Sequence, residues 1–421
     1  MEHITQKVDE WIIRDKEAIT KLVSAFVQCQ TPSPPGDTRE AMILVEKFLS
    51  ARDLFSKRVT AEESMPNILS TIPMATEGRH LMLSGHLDVL PAGDEPGWHD
   101  DPWSGKIADG RVWGRGTSDM KAGVTVILFA YYYLFELRQY LSGRLSLALA
   151  SDEETGMGRG TGHMFTQIPS EMEADCVLSP EPSGTEAIAF SSKGYLQFNV
   201  SIATRGAISG YPNHSPSAIR IATDIIRDLD ELENIPVEVP PSIKVLLEDA
   251  QYREWYDGMY GEGSAAVIPL ISVNVGTIAG GNSPSVISPD CFFEVTVVTP
   301  TGMDPEVVFK KAQAIVGRYP EACIELEGAD IGDISTTDHE MPVILQNIVT
   351  QLGWPKPKLA PDIAISDLRY WRNRGITGFW YGPNGDNVSA ANECVEIEQV
   401  LHLVRTYVLA SAQYLQKHNP S

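Results

Sequence analysis

Apolar residues recur at helical spacing early in the chain, at Trp11, Ile12, Ala18, Ile19, Leu22, Val23 and Phe26, and predict a first helix over 9–28. The loop Thr31-Pro32-Ser33-Pro34-Pro35-Gly36 stops it, because successive prolines remove backbone donors and fix φ. A second helix is expected over 38–52. Short apolar runs at 67–72 and 81–83 read as neighbouring strands. Residues 123–140 read as a long apolar helix whose Tyr131-Tyr132-Tyr133 run belongs to core or interface. Residues 145–150 have no polar position except Ser146, which predicts a central strand buried on both faces. Another strand follows at 176–178. Strands and helices alternate to this point, so the expected class is α/β, a mostly parallel sheet flanked by helices.

The pattern changes after Lys193-Gly194. Residues 195–203, 270–276 and 292–298 alternate as half-buried strands, with helices at 218–232, from 243 to about 256, and at 304–318, and a strand at 323–326. From about 335 the first style resumes, with a helix at 341–352, a strand at 377–381 and a closing helix at 397–416. An α+β domain over 193–333 is therefore inserted into a catalytic, metal-binding domain made of 1–192 and 334–421.

The polar residues that interrupt this pattern fall where chemistry is expected. The first run of strand 81–83 ends in Gly85-His86-Leu87-Asp88; on an extended backbone His86 and Asp88 leave the same face, as suits a metal-bound imidazole steadied by a carboxylate. Further on, the glycine-rich turn Gly114-Arg115-Gly116-Thr117-Ser118-Asp119 delivers one acid before the long helix. Strand 145–150 ends in Ser151-Asp152-Glu153-Glu154, and strand 176–178 in Ser179-Pro180-Glu181. Open α/β folds place their sites at the carboxyl ends of sheet strands. One histidine with several carboxylates suits Zn, Mn or Co, and such an ion brings the pKa of water from ~15.7 toward ~7. The pair Glu153-Glu154 suggests that one carboxylate holds metal while its neighbour takes the proton of water as general base. Metal-assisted hydrolysis is the predicted chemistry.

Composition narrows the partners. The 421 residues carry 33 Lys plus Arg against 56 Asp plus Glu, a net charge of −23 that argues against nucleic acid or an anionic membrane as partner. Five scattered cysteines without Cys-x-x-Cys spacing, an N-terminus lacking the apolar centre of a signal peptide, and no apolar run near the ~20 residues of a membrane span point to the cytoplasm.

The segments SGHLDVLP, WGRGTSDMKAG, SDEETGMGRGTG, SPEPSG, SKGYLQFNV, GGNSPS and NECVEI resemble the co-catalytic metallopeptidase family that includes acetylornithine deacetylase, succinyl-diaminopimelate desuccinylase, aminoacylase and carboxypeptidase G. The resemblance spans nearly the whole chain. It implies that the inserted domain is a lid, often a dimerisation module, and so a homo-oligomer. It also implies that His86 and Glu181 hold one metal, Asp119 bridges two, Glu154 holds the second, Glu153 is the base and Asp88 orients His86.

Three positions depart from that pattern. Ser389 stands where the family has its last metal-ligating histidine, three residues before Asn392-Glu393. Ile208, in Gly206-Ala207-Ile208-Ser209-Gly210-Tyr211-Pro212, stands where the lid supplies a histidine to the oxyanion, and the next histidine is His214. The arginine that often closes the last lid strand is absent near Val298. The first departure implies one firmly bound ion per chain. The second matters for reaction type, since a missing oxyanion donor costs about 3 kcal/mol in acyl transfer. Hydrolytic deamination of an activated aromatic amine instead spreads charge into the ring. The family contains such chemistry on a 5-nitroanthranilate-type substrate, and this sequence is compatible with it. Tyr195, Tyr211, Phe379, Trp380 and Tyr381 are candidates to wall a flat ring, and Arg205 or the metal to hold the carboxylate of a small-molecule substrate. The alternatives are an N-acyl amino acid deacylase or exopeptidase of the acetylornithine deacetylase type and, third, a non-catalytic ligand-binding relative, against which the retained Glu153 argues.

Overall fold

The computed structural model describes residues 1–93, 95–156, 158–385 and 387–416; Met157, within the SDEETGMGRGTG segment, lies outside them. The chain forms two compact units, one of Met1–Phe190, Ser335–Ala360 and Ser366–Ser421, the other of Ser191–Ile334 with Pro361–Ile365.

An eight-stranded sheet is the frame of the first unit. From one edge it runs Lys57–Glu62, Met65–Pro73, Ser142–Ala150, Thr76–His86, Cys176–Ser179, Thr377–Trp380, Ala187–Ser191 and Lys358–Pro361. The four strands in the middle, from Ser142–Ala150 to Thr377–Trp380, are mutually parallel. Antiparallel pairings stand on either side of them. The strands 67–72 and 81–83 are thus not partners. Ser142–Ala150 lies between them, because its unbroken apolar run needs cover on both faces and takes the central place.

Helices cover both faces. On one, Met82, Ala148, Val177, Ala189 and Trp380 pack with Met164, Phe165, Leu368 and Trp371. On the other, the Ala122–Leu137 helix lies on the strands and packs against Glu2–Gln28 and Ile397–Tyr414. It is buried nearly all round, Tyr131 and Tyr133 included. The stretch Thr117–Tyr140 is long and apolar enough to cross a membrane by length and composition, which corrects the sequence-based expectation that no run approaches that length. However, 83% of its most apolar window is buried inside the structure, as fits a core helix. Phe379, Trp380 and Tyr381 are also core residues rather than walls of an open cleft. The Tyr381 hydroxyl is spent on the Thr185 carbonyl (3.0 Å) and the His402 ring (2.9 Å).

The second unit is a four-stranded antiparallel sheet, ordered Ser272–Gly280, Asp290–Thr299, Gly194–Ala203, Ala322–Asp330. Strict alternation puts Leu196, Phe198, Val200 and Ile202 on one face, with Phe293, Val295 and Val297 beside them, under the helices Ala218–Leu229 and Pro305–Val316. The helix expected from 243 to about 256 is two helices, Pro241–Glu248 and Ala250–Tyr260. The break is at Asp249, whose carboxylate accepts from the N–H of Gln251 (2.8 Å) and so caps the second helix. Ile208 lies in a two-residue ribbon paired with Val286 and is exposed, and the His214 ring stacks on Tyr211 at 5.0 Å.

Candidate active site

Four segments of the first unit bring the acids and the histidine together. Thr76–His86 ends in His86, which is 1% exposed. Its Nδ1 faces the main-chain carbonyl of Asp88 at 2.9 Å, and the Asp88 carboxylate lies 3.6 Å away. This leaves Nε2 to point at Asp119 (3.1 Å) and Glu181 (3.6 Å). Asp88 is fully buried and its carboxylate serves a second purpose. It accepts from the main-chain N–H of Glu153 (3.1 Å) and of Glu154 (3.1 Å). Charge-assisted bonds of this kind contribute about 1.5–3 kcal/mol each, enough to fix the turn that carries the two glutamates. Asp152 braces the far end of that turn, accepting from the Arg159 N–H at 2.9 Å.

Asp119 comes from a turn that only glycines permit. Gly116 has φ +80°, and a Cβ there would sit 2.3 Å from Val89 Cγ1. In the first turn of the helix that follows, a Cβ on Gly123 would meet the Pro180 carbonyl at 2.6 Å, so the Asp119 turn and the Glu181 loop approach closely. Among the described residues, His86, Asp119 and Glu181 form the one group whose ligand atoms converge, all within 4.8 Å of one another. Glu154 is not in that group, and one of its carboxylate oxygens accepts from the Leu90 N–H at 3.1 Å.

The electrostatics of the cluster fit a bound cation. Burial pushes the Glu153 carboxyl well above its ordinary range, and the charges of Glu181 and Asp367 push it further. Glu154 is raised in the same direction by burial and by Asp119 and Glu153, and Glu181 is raised to about 7 by burial, against the pull of His86. Burial alone would lower the His86 pKa, yet Glu181, Asp119 and Asp88 hold it well above the usual value. The acids therefore favour positive charge at this spot, as a divalent ion would supply it. The donor set of one nitrogen and carboxylate oxygens suits such an ion.

Two further residues stand close enough to act on Glu153 by charge, Asp367 and Arg369, both buried. Asp367 accepts from the Thr161 hydroxyl at 2.6 Å and lies 3.6 Å from the Arg369 guanidinium. The sequence holds a signal for them, two opposite charges two apart in Ser366-Asp367-Leu368-Arg369 amid apolar and aromatic neighbours, but nothing local ties that segment to the histidine. Near the C-terminus the Ser389 carbonyl accepts from Arg115 at 3.1 Å.

A family model, Peptidase family M20/M25/M40, matches residues 82–413. The chain belongs to this family. It is accordingly a metal-dependent hydrolase acting on C–N bonds, in broad terms a peptidase or deacylase that uses divalent metal. Solved structures agree in fold. An M20 family metallo-carboxypeptidase from Sulfolobus solfataricus superposes with a TM-score of 0.80 at 17% identity, over 93% of this chain and 98% of that one. Human carnosine dipeptidase 1 gives 0.77 at 16% identity, over 97% and 100%. A dinuclear metal binding peptidase from the M20 family of Bacillus subtilis gives 0.64 at 14% identity, over 95% and 98%.

Proposed function

We propose that this M20 family member is an aminohydrolase that releases ammonia from an activated aromatic amine of the 5-nitroanthranilate type. The observation that carries this reading is Ile208 at the position where a lid histidine would donate to an acyl oxyanion. Its side chain is exposed and apolar and offers no hydrogen bond. Attack on a ring carbon moves charge into the ring and its withdrawing substituent, so the lack of that donor costs less there than in acyl transfer.

In this reading a divalent ion, Mn, Zn or Co, held by His86, Asp119 and Glu181 supplies Lewis acidity and a water more acidic than bulk. Glu153 takes the proton from the attacking water and returns one to the departing nitrogen. Burial raises its pKa, which suits a group that must give a proton as well as accept one. Asp88 keeps the Glu153 N–H and the His86 ring in place. Arg369 tempers the charge around Glu153, and the metal or an arginine such as Arg205 is the candidate to hold the substrate carboxylate. We take the second unit to be the lid and the surface that pairs with a second copy, on the strength of exposed Ile278, Phe292 and Leu326 on its strands. The five cysteines are free thiols, as in a cytoplasmic enzyme.

The acylase reading is favoured by one observation, the His214 imidazole six residues beyond Ile208. A substrate panel separates the two. Metal-loaded protein is incubated with ring-activated aminobenzoates and with N-acetyl and N-succinyl amino acids, and released ammonia or amine is assayed. Ammonia from the aminobenzoate is expected. Efficient hydrolysis of the acyl amino acids with no action on nitroanthranilate would reject the proposal and make His214 the first donor to test.

The same reading sets the metal count. Ser389 offers no imidazole, and Glu154 already accepts from Leu90. One firmly held ion per chain is expected after dialysis, the second position being empty or labile. Elemental analysis that finds two tightly held ions per chain would contradict this.

A further inference from the structure

Glu393 is 1% exposed and carries no assigned role, yet five donors from the Asp119 turn and its approach converge on it. Its main-chain carbonyl accepts from the Gly114 N–H at 2.9 Å. One carboxylate oxygen accepts from the Gly116 N–H (3.0 Å) and the Arg115 guanidinium (2.7 Å). The other accepts from the N–H of Ser118 (2.8 Å) and of Asp119 (3.3 Å). Successive main-chain N–H groups closing on an anion form a nest, and this nest is the turn that ends in Asp119. Arg115 extends the arrangement, since its guanidinium also donates to the carbonyls of Pro91 (3.3 Å) and Ser389 (3.1 Å). Asp119 itself has φ −121° and ψ 96°, and Met120 after it φ −131° and ψ 39°, neither of them helical, so the place of Asp119 is not set by helix geometry.

We propose that Glu393 is the positioning residue for Asp119, fixing through the backbone of residues 114–119 where that carboxylate meets His86 and Glu181. The proposal rests on the reading of Asp119 as a metal ligand. It explains how the 389–393 segment serves the site although Ser389 brings no imidazole. A carboxylate is required because both of its oxygens receive N–H donors. The amide of a glutamine would turn an NH2 group toward one pair of them, and an aspartate would fall a methylene short.

The test is metal affinity rather than turnover. Apo-protein prepared by chelation is titrated with Mn2+, following free ion by electron paramagnetic resonance, for the parent, Glu393→Gln, Asp119→Asn and the double variant. Loss of an outer partner of a metal ligand costs 10–100-fold in affinity as a rule. Glu393→Gln is expected to weaken Mn2+ binding by roughly 10–100-fold, and the double variant to bind no more weakly than Asp119→Asn alone. Unchanged affinity in Glu393→Gln beside a weakened Asp119→Asn would overturn the proposal and leave Asp119 a ligand. Additive losses would also overturn it, since they mark general loosening. An unchanged Asp119→Asn would remove the reading of Asp119 itself, and the proposal with it. If Glu393→Gln fails to fold, Arg115→Lys takes its place, because an ammonium cannot donate to the Glu393 carboxylate and also span to the Pro91 and Ser389 carbonyls as the guanidinium does. A several-fold loss is then expected, and no loss would overturn the proposal.

Discussion

Glu153→Gln is expected to lower turnover by roughly 100-fold or more while leaving metal content and fold as in the parent, on the usual scale for a general acid–base group. The side chain belongs to a turn fixed from outside itself. Its N–H is held by Asp88, and the turn is braced by the Asp152–Arg159 contact, neither of which involves the Glu153 carboxyl. The substitution therefore removes a proton acceptor and little else. Burial and the charges of Glu181 and Asp367 raise the Glu153 pKa, so neutralising the group relieves repulsion rather than creating an unpaired charge. Turnover measured beside elemental analysis and circular dichroism checks this. Parent-like turnover in the variant would remove Glu153 from the mechanism.

His86→Ala is expected to lose the metal itself, with activity falling to background. The imidazole is the one nitrogen in the converging group, and it is buried between Asp119 and Glu181, with Nδ1 fixed by the Asp88 carbonyl. Without it, Asp119 and Glu181 remain as two neighbouring acids that repel each other and that must then bind an ion through oxygen alone. Metal content after dialysis separates this variant from Glu153→Gln: the first should be stripped, the second loaded. A His86→Ala protein that keeps the parent's metal content would show that the ion is held elsewhere.

Much of this was legible in the chain because the signals are local. Apolar runs marked the central strands, alternation marked the sheet of the second unit, and the acids stood out at strand ends and on the Gly114–Asp119 turn. What escaped depends on contacts between distant segments. The edge strand Lys57–Glu62 buries only Val59, so its pattern reads as a polar loop. The order of the 67–72 and 81–83 strands could not follow from adjacency, since a strand some sixty residues later enters between them. The break at Asp249 turns on a capping bond that periodicity does not register. Asp367 and Arg369 reach the site through folding alone. Glu393 was visible only as a flank of the position that Ser389 occupies, and its five donors come from residues 114–119, nearly 280 positions earlier.

The central claim, ammonia release by attack of water on a ring carbon, is tested most directly by isotope. Metal-loaded protein is given 5-nitroanthranilate in 18O-labelled water, and the aromatic product is analysed by mass spectrometry alongside an ammonia assay. The account predicts one equivalent of ammonia per turnover and a hydroxybenzoate bearing one 18O on the ring. Recovery of unlabelled nitroanthranilate, while an N-acyl amino acid under the same conditions yields an 18O-labelled carboxylate and free amine, would contradict it.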